Sequence, residues 1–201
     1  MSVVPRTMTC FIALILMTLD VTWAGALERC IGPICIVHEA RTYARLSASY
    51  PARKGSVLAM ENPERTLCLY DKKNDASLVL TFSGDGDVHR AKVDTLFLAK
   101  RNLCIGGGRA RRNLPFVLRT ESGIGIGSSR ENVERRLGVP TREVNAAAAE
   151  QTDKRYAKTM YGSMFGAMRL YYEPDEKSLW VNEYGVDADN RVVSILLSNS
   201  P

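Results

Sequence analysis

"GIGIGSSRENVERRLGVP", residues 123–140, decides how the chain is read. The glycines suggest a loop that cradles a phosphate ahead of a helix. They also suit a tight turn into a short packed helix. A dinucleotide fingerprint needs three glycines, spaced so that the backbone approaches the pyrophosphate and the helix lies close to a sheet. Here Gly123 and Gly125 are followed by Ser128 at the third position, and the frame that starts at Gly125 reaches Arg130. Gly138 and Pro140 stop the helix early, and no GxxxxGK[ST] string occurs. No cofactor is therefore expected. The second reading uses more of the residues. Ser128 and Glu131 have the spacing of a capping box, in which each side chain satisfies the other's backbone amide. Val133 and Leu137 fall on one helical face. Gly138 suits a left-handed cap, and Pro140 ends the element.

The N-terminus indicates export. Arg6 precedes an apolar run at residues 10–19, and Ala24 and Ala26 are small residues placed for a signal-peptidase cut after Ala26. Residues 1–26 read as a signal peptide and the mature protein as periplasmic or secreted. Cys30 follows "LER", where lipid attachment requires a small residue, so lipidation is not expected. The signal removes Cys10 and leaves Cys30, Cys35, Cys68 and Cys104, an even number in an oxidising compartment. Three pairings are open. Cys30–Cys35 with Cys68–Cys104 is favoured, one local loop and one link between distant segments, the longer loop stabilising more.

The net charge is +5, and the signal takes away one arginine and one aspartate, so the mature chain keeps it. A basic surface favours a protein partner with an acidic surface, or contact with anionic cell-wall polymer or lipid. Nucleic acid is not an expected partner.

Residues 36–50 have helical apolar spacing closed by Pro51. Residues 55–61, 65–71, 76–83, 93–100 and 115–120 read as extended, with "KKND" as a hairpin turn. The alanine-bearing stretch 141–158 reads as a polar helix or an insertion. Residues 166–173, 177–186 and 191–198 form a meander around the turns "PDEK" and "DADN". Two halves, 27–120 and 121–201, share an order of elements and each opens near an isoleucine–glycine string, which reads as two diverged repeats. The expected class is α+β, with short helices on an antiparallel sheet.

Catalytic and metal motifs fail. "HEART" at residues 38–42 lacks the second histidine of a zinc helix, and Cys30-x4-Cys35 is poor zinc spacing. "DGDVHRAKVD" has Arg90 where a calcium loop needs glycine. No GxSxG string occurs, and every mature cysteine can be spent in a bridge. Neither a catalytic residue nor a metal ligand is named, and the chain reads as a non-enzyme.

Binding chemistry is better represented. Arg109, Arg111 and Arg112 sit in the glycine-rich stretch "GGGRARR", where guanidinium forks suit carboxylate or phosphate. Trp180 and Tyr184 share one strand face by alternation, and Arg169 and Tyr171 lie on the preceding strand. Rigid aromatics beside arginine are binding-anchor chemistry.

The residues Ile126, Gly127, Ser128, Glu131, Val133, Leu137, Gly138 and Pro140, with "VNEYGVDADNRVVSILL" at 181–197, resemble the SmpA/OmlA family of the outer-membrane β-barrel assembly machinery and the repeats of β-lactamase-inhibitor proteins. The resemblance covers residues 123–198. It implies a helical hairpin packed on an antiparallel sheet. The function expected is protein binding outside the cytoplasm, as an inhibitor or immunity factor against a secreted or envelope enzyme. An envelope-assembly factor and a cell-wall-active hydrolase with an unmarked carboxylate pair are the other readings.

Overall fold

The computed structural model describes residues 27–36, 53–54, 65–83, 91–104, 114–145, 166–174 and 179–199. Two short strands, β1 (Cys30–Ile31) and β2 (Ile34–Cys35), form a hairpin. Eight more form one sheet: β3 (Arg53–Lys54), β4 (Thr66–Asp71), β5 (Ala76–Ser83), β6 (Lys92–Ala99), β7 (Arg142–Asn145), β8 (Met168–Tyr172), β9 (Trp180–Val186) and β10 (Val192–Asn199). Their order is β3-β4-β5-β6-β10-β9-β8-β7, antiparallel throughout. Four strands come from each side of residue 120, and the two sets meet where β6 pairs with β10.

Turn chemistry sets the register. Asp71 accepts hydrogen bonds from the Lys73 amide (3.0 Å) and from Asn74 Nδ2 (2.6 Å), closing the β4–β5 turn. Asp187 Oδ1 accepts from the amides of Asp189 (3.0 Å) and Arg191 (2.9 Å), closing the β9–β10 turn. Short polar side chains that bond their own backbone favour such turns.

The register aligns two ladders of side chains on the inner face. One runs Leu69, Leu78, Leu98, Ile195, Tyr184, Leu170; the other runs Leu67, Leu80, Leu96, Leu197, Asn182, Tyr172. Every one of these residues is buried. Ile31 and Ile34 of the hairpin, Leu118 and Ile124 belong to the same core. So do Val133 and Leu137 of helix α1 (Arg130–Leu137). Glu28 is anchored beside them, its carboxylate accepting from the Thr120 hydroxyl (2.9 Å), the Ser122 amide (3.1 Å) and the Ser122 hydroxyl.

Among the described residues no helical hairpin is formed, and the expected α+β class is wrong. The described residues are mainly antiparallel strand, with one short helix among them. Two local causes act. Gly138 takes φ 86 and its amide closes α1 on Glu134, ending the helix after eight residues. Residues 142–145 then pair with β8 as an edge strand. Sheet pairing offers their backbone groups partners there, and Val144 is β-branched. The cap is also one residue later than the sequence suggests: Ser129 accepts from the Asn132 amide, while Ser128 Oγ accepts from the Gly125 amide. The helix expected at 36–50 lies outside the described residues except for Ile36, as do the alanine run and the turn after β5.

Both favoured disulfides are present, Cys30–Cys35 and Cys68–Cys104. The first closes the β1–β2 hairpin. The second ties β4 to the chain after β6 across the outer face, where Cys68, Val79, Phe97, Ala99 and Leu103 form a second buried cluster.

Candidate functional site

The outer face changes character along one row. Across the sheet run Cys68, Val79, Phe97, Leu196, Glu183, Tyr171 and Arg142, each directly opposite the next. The row is apolar on β4, β5, β6 and β10 and becomes charged on β9, β8 and β7. Arg169 lies one row away, opposite Gly185 and Val144.

Arg169 and Glu183 are both buried, with side chains 3% and 6% exposed, and Arg169 Nε lies 3.6 Å from Glu183 Oε1. That separation is a Coulombic contact and is too long for a hydrogen bond. Burial pushes the Glu183 carboxyl up to about 7, opposed by the Arg169 charge and a hydrogen bond with Tyr171. Burial also raises the Tyr171 phenol, with Glu183 adding to the shift. Above this floor lies Arg142. Its guanidinium carbon sits 4.1 Å from the Tyr171 ring centroid, and its Nη2 bonds Glu173 at 3.1 Å. Arg142 remains 56% exposed. A planar cation over an aromatic face is favourable, and Arg142 keeps donors turned to solvent.

The four sequence-predicted binding residues of the strands divide between the two faces. Tyr171 and Arg169 are on the outer face. Tyr184 is on the inner face, fully buried, with Tyr172 edge-on at 5.7 Å. Trp180 shares Tyr184's face, is part-buried, and lies 4.9 Å from the Arg29 guanidinium carbon. Alternation along β9 is as expected. The separation arises because Leu170, not Tyr171, is opposite Tyr184. The Arg169 charge is engaged by Glu183 rather than offered to solvent. Arg109, Arg111 and Arg112 lie outside the described residues.

Sequence reasoning missed Arg142, Glu183 and Arg29. Arg142 falls in a stretch read as a polar helix or an insertion, and Arg29 sits beside a cysteine with no motif around it. Glu183 carried one signal: a carboxylate amid apolar and aromatic strand residues. Among the described residues no group of His, Cys, Asp and Glu side chains is arranged to hold a metal ion. No family model, curated protein or solved structure matches the chain.

Proposed function

We propose that the protein is an exported, non-enzymatic binding module whose β7–β8 edge engages an acidic protein partner. The observation that carries this reading is Arg142 stacked on Tyr171 above the buried Arg169–Glu183 pair. A rigid aromatic with a half-free guanidinium, fixed on a buried floor, loses little freedom on binding. The net charge of +5 favours an acidic surface opposite it. The finer form is an inhibitor or immunity factor directed at a secreted or envelope enzyme, in keeping with the resemblance to the SmpA/OmlA and β-lactamase-inhibitor families.

Two disulfides fit an oxidising extracellular or periplasmic location. Cleavage after Ala26 would leave Leu27 and Glu28 as the first residues. Leu27 lies against the core and Glu28 is hydrogen-bonded within it, so a cut at that point spares the fold.

The test is capture from an envelope extract on immobilised native protein and on Arg142→Glu and Tyr171→Ala variants. A partner retained by the native chain and lost by both variants supports the reading. A partner retained equally by all three removes this edge from the account.

A further inference from the structure

One end of the sheet carries cations that no described carboxylate neutralises. The β4–β5 turn exposes Lys72 and Lys73, and the residues after β6 expose Lys100 and Arg101. The register brings the two segments together. Asp71 pairs with Ala76 across the turn, and Ser77, the next residue, pairs with Ala99 at the end of β6. Ser77 then clamps the second segment: its hydroxyl donates to the Arg101 carbonyl at 2.7 Å and accepts from the Leu103 amide at 2.9 Å. The Lys100 amide bonds the Val193 carbonyl, and the Cys68–Cys104 disulfide fixes the chain three residues on. Lys100 and Arg101 are therefore held in place and not left on a loose loop.

None of the four nearby carboxylates forms an ion pair with these cations, and two are held in their own turns. Asp71 is buried and closes its own turn, and Asp75 accepts from the Tyr70 hydroxyl at 2.8 Å. Beyond β10, Asp187 closes the β9–β10 turn, and Asp189 stands exposed on that same turn. All four cations are exposed, whereas two of the four acids, Asp71 and Asp187, are turned into their own turns and Asp75 and Asp189 stay exposed.

We propose that this end of the sheet is a second contact surface, independent of the Tyr171 edge, and that it takes an acidic polypeptide segment. Two features favour a peptide over a phosphate polymer or a lipid surface. Asn74 donates one amide hydrogen to Asp71 and keeps its carbonyl oxygen, while Asn102 Oδ1 accepts from the Cys104 amide and its nitrogen stays free. A free acceptor on one segment and a free donor on the other suit a peptide's N–H and C=O; a phosphate chain offers only acceptors. No large apolar side chain of these two segments is exposed to enter a bilayer: the exposed ones among the described residues are Val117, Val139 and Leu179.

The probe is a fluorescent oligoglutamate peptide, titrated at low salt into the full mature chain with its disulfides intact. Lys72→Glu/Lys100→Glu should weaken binding by about tenfold or more, and added salt should weaken the native complex steeply. Arg135→Glu/Arg136→Glu, the same charge change on exposed residues of α1, should leave binding within about twofold. In an Arg142→Glu background, where the Tyr171 edge is disabled, Lys72→Glu/Lys100→Glu should still weaken binding by about tenfold, which separates this surface from that edge. Equal loss in the α1 variant reduces the effect to net charge and overturns the proposal. So does tighter binding of inorganic polyphosphate than of the peptide, or peptide binding that Lys72→Glu/Lys100→Glu leaves intact.

Discussion

Glu183 lies directly across from Tyr171 on the outer face of the sheet, while its neighbour Tyr184 lies across from Leu170 on the inner face. One step along β9 separates a buried carboxyl next to an arginine from the largest fully buried side chain of the core. The β8–β9 register therefore decides which aromatic lies on the outer face and which in the core.

The Glu183 carboxyl gives stability a pH dependence of known sign. Its pKa is about 7 in the folded protein against an ordinary 4.5. Between these values the native state holds a proton that the unfolded chain has released. Stability from this group is full below about pH 4.5 and declines as pH rises through about 7, by up to about 3 kcal/mol. Denaturant midpoints measured across this window should fall with rising pH. In Glu183→Gln the same slope should be much flatter, and an unchanged slope would place the titration elsewhere.

Asn182 is the one amide in a ladder of leucines and Tyr172. It is 1% exposed, and neither polar atom of its side chain has a hydrogen-bond partner. An unsatisfied buried amide costs about 1–3 kcal/mol. Asn182→Leu continues the row formed by Leu197 and should raise the thermal midpoint. A lower midpoint, with the fold intact by circular dichroism, would show that the amide is satisfied in solution.

The two disulfides should differ in weight. Cys68–Cys104 spans a sequence separation of 36 and Cys30–Cys35 one of 5. Loop-closure entropy assigns about 4 kcal/mol to the first and about 2 to the second. Equilibrium unfolding of the paired alanine variants should rank them in that order. The reverse order would mean that native-state contacts of the β1–β2 hairpin outweigh chain entropy.

Much of the sheet was legible because its strands are short apolar and aromatic runs bounded by polar turns, in which Asp side chains bond their own backbone. Asp71 and Asp187 are examples, and the disulfide pairing favoured among the three open to four cysteines is the one formed. Among the described residues no helical hairpin is found: α1 ends at Gly138, and residues 142–145 pair with β8. Helix propensity in the nearby alanine run gave no warning of that, since pairing with β8 depends on residues far apart in sequence, as in Glu143 and Leu170 opposite each other. The candidate site was legible only in pieces. Tyr171 and Trp180 stood out as aromatics, but alternation within one strand says nothing about which residue faces which across two strands. Arg142 meets Tyr171 only through that register.

The central claim is that Tyr171 and Arg142 form the partner-contacting edge, and photocrosslinking tests it most directly. A photoreactive phenylalanine analogue is placed at Tyr171 and, separately, at Val139, which is 86% exposed. The account predicts a discrete crosslinked adduct from position 171, abolished by Arg142→Glu, and none from position 139. Adducts from position 139 alone, with position 171 silent, would contradict it.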